Sequence, residues 1–203
     1  MKIFNFEQRS ADWYNARMGV ITASQIKRIM GSRNGDESYL NELLAQRITN
    51  QFKELYVSDS MEHGIHFESD ACEVYSYISN NKLDHVGFIL KNEYLGCSPD
   101  ALIGNLGLLE IKCPNTSTHL GYIRNDVVPK DYLYQCLYQL YVTGREWVDF
   151  MSYDPRISNP HNVFIKRVTK ESYADEYKKL KDKLNLFIEK YKKAISLFED
   201  KEQ

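Results

Sequence analysis

The residues with the most evident chemistry lie in two short runs, Cys97-Ser98-Pro99-Asp100-Ala101-Leu102 and Leu108-Leu109-Glu110-Ile111-Lys112-Cys113-Pro114. Side chains alternate between the two faces of a strand, so Glu110 and Lys112 point one way while Leu109, Ile111 and Cys113 point the other. A wholly apolar second face specifies the register and gives the Glu–Lys pair a definite place. Asp100 falls at the start of the preceding strand. If 100–103 and 108–112 form a hairpin over the Gly104–Gly107 turn, their ends need not lie close in register. Both carboxylates can still line one mouth of a twisted sheet. Two carboxylates and an ammonium suit phosphodiester hydrolysis. Mg²⁺ is held through one or two carboxylates, which leaves positions for water and a phosphate oxygen. The metal acidifies its water and neutralises charge on the phosphoryl group, and an ammonium can orient the attacking water while offsetting carboxylate repulsion. The plainer reading of the same residues is a Pro-Asp turn and a solvated strand face.

The elements that must position these residues show in the apolar periodicity. The chain begins helical. Ser10 or Asp12 can cap a short helix carrying Trp13 and Arg17, and Thr22 or Ser24 a second that stops at Gly31. A third helix spans about 37–52, with Leu40, Leu43, Leu44 and Ile48 on one stripe, and a fourth about 61–79, with Phe67, Ala71, Val74 and Tyr75 inward. Short apolar runs at 86–90, 94–97, 101–103 and 108–113, separated by turn residues, read as a strand meander. Pro129 suits the first turn of a helix carrying Leu133, Leu137, Leu140 and Tyr141 and ending at Gly144. Two strands follow at 147–153 and 163–168, then a long amphipathic helix at about 171–200. This order predicts an α/β sandwich with a mixed central sheet flanked by helices, in one domain over 1–203.

Composition narrows the classes. With 203 residues, 43% hydrophobic, the chain has room for one sizeable core. Its net charge of −2 excludes a global basic excess, so nucleic-acid contact would need a local patch or metal ions. Cys72, Cys97, Cys113 and Cys136 form no CxxC and sit among apolar neighbours, which predicts buried reduced thiols and a cytoplasmic protein. The first ten residues carry no apolar run of the secretory kind, and no stretch approaches the ~20 apolar residues of a membrane span. The histidines have no metal spacing beyond a weak His63-x-x-His66 and read as incidental.

Asp100 with Glu110-Ile111-Lys112 resembles the PD-(D/E)XK nuclease signature, Pro99-Asp100 supplying its first half. Four flanking runs extend the likeness, in the same order, to the lambda-exonuclease (YqaJ-type) viral recombinase branch. They are Trp13–Ser24, Gly64–Ala71 with its GxxxExxA pattern, Tyr132–Gly144 and Trp147–Arg156. The resemblance implies a restriction-endonuclease-like core and roles for particular residues. Asp100 and Glu110 would be the principal metal ligands, with the Ile111 main-chain carbonyl assisting and Glu68 serving from its helix. Lys112 would activate the water and Gln135 would hold the nucleophile or the lysine. Arg17, Ser24 and Ser98 would grip a terminal 5′-phosphate. Arg offers a forked donor matched to phosphate, and Ser24 lies in the first turn of an expected helix.

The activity implied is 5′→3′ exonucleolytic degradation of one strand of linear double-stranded DNA to 5′-mononucleotides. The cofactor implied is Mg²⁺, with Mn²⁺ able to substitute. Also implied are a ring-shaped homotrimer threaded by DNA, a single-strand annealing protein as partner, and phage-type recombination in the host cytoplasm. A ring could gather Lys27, Arg28, Arg33 and Arg47 on its lining. Two alternatives stay open: a structure- or sequence-specific endonuclease on the same fold, and a DNA-binding relative without catalysis. The spacing of the cysteines excludes an iron–sulfur nuclease.

Overall fold

The structure is a computed structural model that describes residues 1–31, 35–52 and 59–199, the side chains of 59–65 and 199 left aside. Arg33 and the side chains of His63 and Ile65 therefore lie outside the described residues. The chain opens with β1 (Lys2–Phe4), then α1 (Ala11–Arg17), where Ser10 Oγ accepts from the Trp13 amide and caps the helix. β2 (Ile21–Thr22) runs through a 3-10 turn over Ala23–Gln25 into α2 (Ile26–Met30), which stops at Gly31. Helices α3 (Gly35–Thr49) and α4 (Asp59–Ser79) follow. Asn50 and Asn80, just past their ends, adopt left-handed φ of 52° and 54°, the conformation that closes a helix.

The strands β3 (Leu83–Asp84), β4 (Phe88–Asn92), β5 (Leu95–Cys97), β6 (Ala101–Ile103) and β7 (Gly107–Lys112) make the middle of the chain. After them come α5 (Thr116–Asn125), α6 (Lys130–Thr143), β8 (Trp147–Tyr153), β9 (Val163–Thr169) and α7 (Ala174–Glu199). The strands form two mixed sheets, in the orders β1-β4-β5-β2 and β3-β6-β7-β8-β9. One central sheet was the expectation. The ladder breaks between β5 and β6 at Ser98-Pro99-Asp100, where proline has no N–H to donate.

The five-stranded sheet is sandwiched. On one face, Ala71 and Tyr75 of α4 pack on Ala101, Ile103, Leu109, Ile111, Cys113, Met151 and Tyr153. On the other, Leu102, Leu108, Val148, Phe150 and Val168 join the larger core with α6 and α7. β7 and β8 are parallel, so the chain must cross over between them, and α5 and α6 make that crossing. Nine of the fourteen residues of α6 are buried, because the helix packs on both sheets and on α2 and α7. A helix so enclosed has no solvated face for polar side chains, and its glutamines must find partners inside.

Several expectations shift in detail. The strands β1, β2 and β3 and the helix α5 lie where no element was expected. β1, β2 and β3 are too short to show a period, and α5 has only Leu120, Tyr122 and Ile123 as larger apolar residues and buries His119 alone. Ile48 is 54% exposed and leaves the stripe that Leu40 and Leu43 bury. Pro129 is the N-cap of α6, not part of its first turn, while Gly144 closes the helix at φ +75°, as expected of a C-terminal glycine. Among the described residues, no helix is long and apolar enough to cross a membrane.

Candidate active site

The β6–β7 hairpin sets the geometry. Ala101 pairs with Leu109 and Ile103 with Gly107, and continuing that register places Asp100 opposite Glu110. The ends of the hairpin therefore do lie together. The Asp100 N–H donates to the Leu109 carbonyl at 3.1 Å, and the Ile111 N–H donates to Asp100 Oδ2 at 2.5 Å. Gln8 steadies the approach by donating to the carbonyls of Val86 and Pro99, both at 3.1 Å. His85 Nδ1 lies 3.0 Å from the Asp100 carbonyl.

Glu110 is 1% exposed, covered by α6. A carboxylate taken from water needs donors at close range, and it has three. The Lys112 ammonium donates to Oε1, as does Gln135 Nε2 at 2.5 Å. Gln139 Nε2 donates to Oε2, also at 2.5 Å. The Lys112 ammonium also lies 5.3 Å above the Tyr132 ring. Burial alone would lower the lysine's pKa, but the charges of Glu110 and Asp100 outweigh it and hold Lys112 above its ordinary value. In this arrangement Lys112 is a fixed cation and not a proton acceptor. Gln139 escaped the sequence reading. Its signal was there: two glutamines four residues apart in an otherwise apolar and aromatic helix. Its Oε1 has no hydrogen-bond partner among the described residues, a state that costs about 1–3 kcal/mol for a buried polar atom.

Glu68 points from α4 toward the same region. It is half-buried and accepts from Arg9 Nη2 at 2.9 Å. No motif announced Arg9, which sits at φ +71°. Burial, then the charge of Glu110 and more weakly that of Glu68, push the Asp100 carboxyl well above its usual range. Lys112 and the Ile111 N–H pull the other way. Acidic groups crowded with too little positive charge are what a divalent cation relieves. Among the described residues, no three His, Cys, Asp or Glu side chains are gathered into a cage. Two carboxylates with a main-chain carbonyl and water form the sparser donor set that Mg²⁺ uses. The residues present fit that ion, which Asp100, Glu110 and the Ile111 carbonyl would hold.

A second cluster lies two residues from Asp100. Ser98 Oγ accepts from Trp13 Nε1 at 2.9 Å and from Arg17 Nη1 at 3.2 Å, and the Arg17 guanidinium stacks 3.8 Å over the Trp13 ring. Burial lowers the Arg17 pKa to about 10, which still leaves it charged at neutral pH. No carboxylate pairs with it among the described residues. A partly desolvated cation without a counter-ion is suited to receive an anion. Ser24 is exposed in the 3-10 turn. Of the basic residues expected on a lining, Lys27 is exposed, while Arg28 pairs with Glu42 and Arg47 with Glu93.

Past β7, buried Asp154 ties down the loop. It accepts from Thr116 Oγ1 at 2.6 Å and from Arg156 Nε at 2.6 Å, and Arg156 also reaches the Pro114 carbonyl. Burial opposes ionisation, but the bonds from Arg156 and Thr116 prevail and bring the Asp154 carboxyl to about 2. His119 is buried between Ser152 Oγ and the His161 carbonyl, in a structural role. All four cysteines are free, as expected; Cys97, Cys113 and Cys136 are buried, but Cys72 is only partly so.

The two-sheet core with carboxylates facing each other across a hairpin is a PD-(D/E)XK-like nuclease fold. The chain matches the YqaJ-like viral recombinase domain over residues 12–146 and belongs to that family. Its structure is similar to that of an alkaline exonuclease from Laribacter hongkongensis, at 30% identity and a TM-score of 0.85, covering 95% of this chain and 97% of that one. The same exonuclease in complex with dAMP gives 31% and 0.84, with the same coverage. A phage-related exonuclease from Haemophilus somnus shares the fold at 12% identity and a TM-score of 0.67, covering 87% of this chain and 95% of that one. An uncharacterised protein of Acanthamoeba polyphaga mimivirus is 27% identical over 167 residues, which is 74% of this chain and 30% of that protein.

The crowding of carboxylates makes a prediction for the metal-free protein. An acid raised in the fold above its ordinary 3.8 costs nothing below that value. The penalty then grows as pH rises to the raised value, and is constant beyond it. At neutral pH with chelator, Asp100→Asn should therefore melt higher than wild type, by about 0.5–2 kcal/mol of stability. A lower melting temperature would show that the Asp100 charge is already compensated without metal.

Proposed function

We propose that the chain is a Mg²⁺-dependent exonuclease that degrades one strand of linear double-stranded DNA from its 5′ end to 5′-mononucleotides. The observation that carries this reading is the joining of two clusters on one segment. Ser98, bonded to the uncompensated Arg17, and Asp100, facing Glu110, are separated by Pro99 alone. Membership of the viral recombinase family supports a nuclease, and so does the likeness to an alkaline exonuclease. That relative's complex with dAMP is consistent with a mononucleotide product.

Mg²⁺ bound here, or Mn²⁺ in its place, would acidify a water and neutralise charge on the phosphate oxygens. Asp100 and Glu110 hold the ion, with the Ile111 carbonyl assisting and Glu68 available if it leaves Arg9. Lys112, kept cationic by its neighbours, orients the attacking water and stabilises its hydroxide form. Gln135 holds the Glu110–Lys112 pair in place. Arg17 and Ser98 hold the terminal 5′-phosphate, with Ser24 added if its turn moves in. The partners proposed are double-stranded DNA ends and a single-strand annealing protein. The assembly proposed is a homotrimer working in phage-type recombination in the host cytoplasm, and a mass measurement in solution that gives a monomer would remove the ring.

With a 5′-phosphorylated linear duplex and Mg²⁺, Lys112→Ala should lose about 10²–10³-fold in rate, while covalently closed plasmid stays intact with wild type. Equal digestion by both proteins would sink the role of Lys112, and linearised plasmid would favour an endonuclease. Arg17→Ala should slow digestion of 5′-phosphorylated ends about tenfold or more and leave 5′-hydroxyl ends nearly unaffected. An equal effect on both ends would remove the phosphate clamp.

A further inference from the structure

Gln139 is fully buried and sits one helical turn beyond Gln135 on α6. Its Nε2 donates to Glu110 Oε2 at 2.5 Å, while its Oε1 has no partner among the described residues. Rotating the amide by half a turn would give Oε1 the place of the donor. It would then face Glu110 Oε2, with two acceptors in contact. The Glu110 carboxylate therefore dictates the orientation of this side chain, and a buried acceptor is left bare to keep it. A position selected for packing alone would be served better by an unbranched apolar residue of the same length.

The lone pairs of Glu110 show what that orientation achieves. A carboxylate offers about four acceptor sites, two on each oxygen. Lys112 and Gln135 take both sites on Oε1, and Gln139 takes one on Oε2. The open site belongs to Oε2. We propose that Gln139 is a positioning residue that fixes the Glu110 rotamer so that Oε2 binds the metal ion while Lys112 stays on Oε1. The ammonium and the divalent cation then use opposite oxygens of one carboxylate, and their mutual repulsion is kept small. This inference rests on the metal reading proposed above.

The test measures metal binding directly, without DNA. Mn²⁺ binding to wild type and Gln139→Met is followed by electron paramagnetic resonance, beside melting curves in chelator. The variant should melt close to wild type and bind Mn²⁺ about tenfold or more weakly, as for other residues that orient a metal ligand. The Mg²⁺ concentration for half-maximal digestion should rise by a similar factor, with the rate recovering at saturating Mg²⁺. Unchanged Mn²⁺ affinity in a folded variant overturns the assignment, whatever its activity. Wild type that binds no Mn²⁺ overturns the metal reading itself, and this one with it. If Gln139→Met does not fold, a wild-type crystal with Mn²⁺ decides. An anomalous peak at Glu110 Oε2 with the Gln139 bond intact supports the proposal, and a peak at Oε1 refutes it.

Discussion

A carboxylate buried beneath a helix constrains much of this architecture. Glu110 lies on the sheet face that α6 covers, so the sheet and the helix must together supply what water would have given it. Lys112 comes from the same strand, two residues on and therefore on the same face. Gln135 and Gln139 come from the helix, four residues apart and therefore on one of its faces. These bonds hold α6 at a definite height and rotation over β7. The aromatic and aliphatic residues on the rest of the helix then have to fill whatever surrounds it, which is the core between the two sheets.

The break between the sheets lies close to this site. Ser98-Pro99-Asp100 leaves the ladder of β5 and enters that of β6, so one short segment serves both sheets. Trp13 and Arg17 of α1 converge on its first residue, and β7 meets its last. Gln8 clamps the carbonyl between them. If a terminal phosphate is held at Arg17, its offset from the carboxylates is a property of a rigid tripeptide and not of a loop.

The charge of the chain makes sense locally. A net of −2 conceals an acidic cluster whose repulsion a cation would relieve, and an arginine that no carboxylate pairs with among the described residues. Arg28 and Arg47, by contrast, are already paired with glutamates.

The sequence by itself determined the chemistry-bearing trio of Asp100, Glu110 and Lys112 and the shared face of the last two. It also determined the long helices and the strands of five to seven residues. All of these depend on local periodicity, two residues in a strand and near four in a helix, which can be read without knowing what packs where. The flanking motifs brought in Gln135, Glu68, Arg17 and Ser98 chiefly by resemblance, with the guanidinium fork of Arg17 as a physical reason beside it. Of the strands of two or three residues, β5 and β6 were legible because turn residues bracket their apolar runs, whereas β1, β2 and β3 lack such brackets and are shorter than a readable period. Only the tertiary structure decided that Asp100 faces Glu110, that Arg9 holds Glu68, and that Gln139 completes the hold on Glu110. Each depends on strand register or on segments meeting from well apart in sequence, and Gln139 is 29 residues from the oxygen it binds. A buried polar contact at that separation leaves no pattern along the chain. It exists because α6, enclosed on every side, offers its glutamines no solvent and the buried carboxylate offers them a partner.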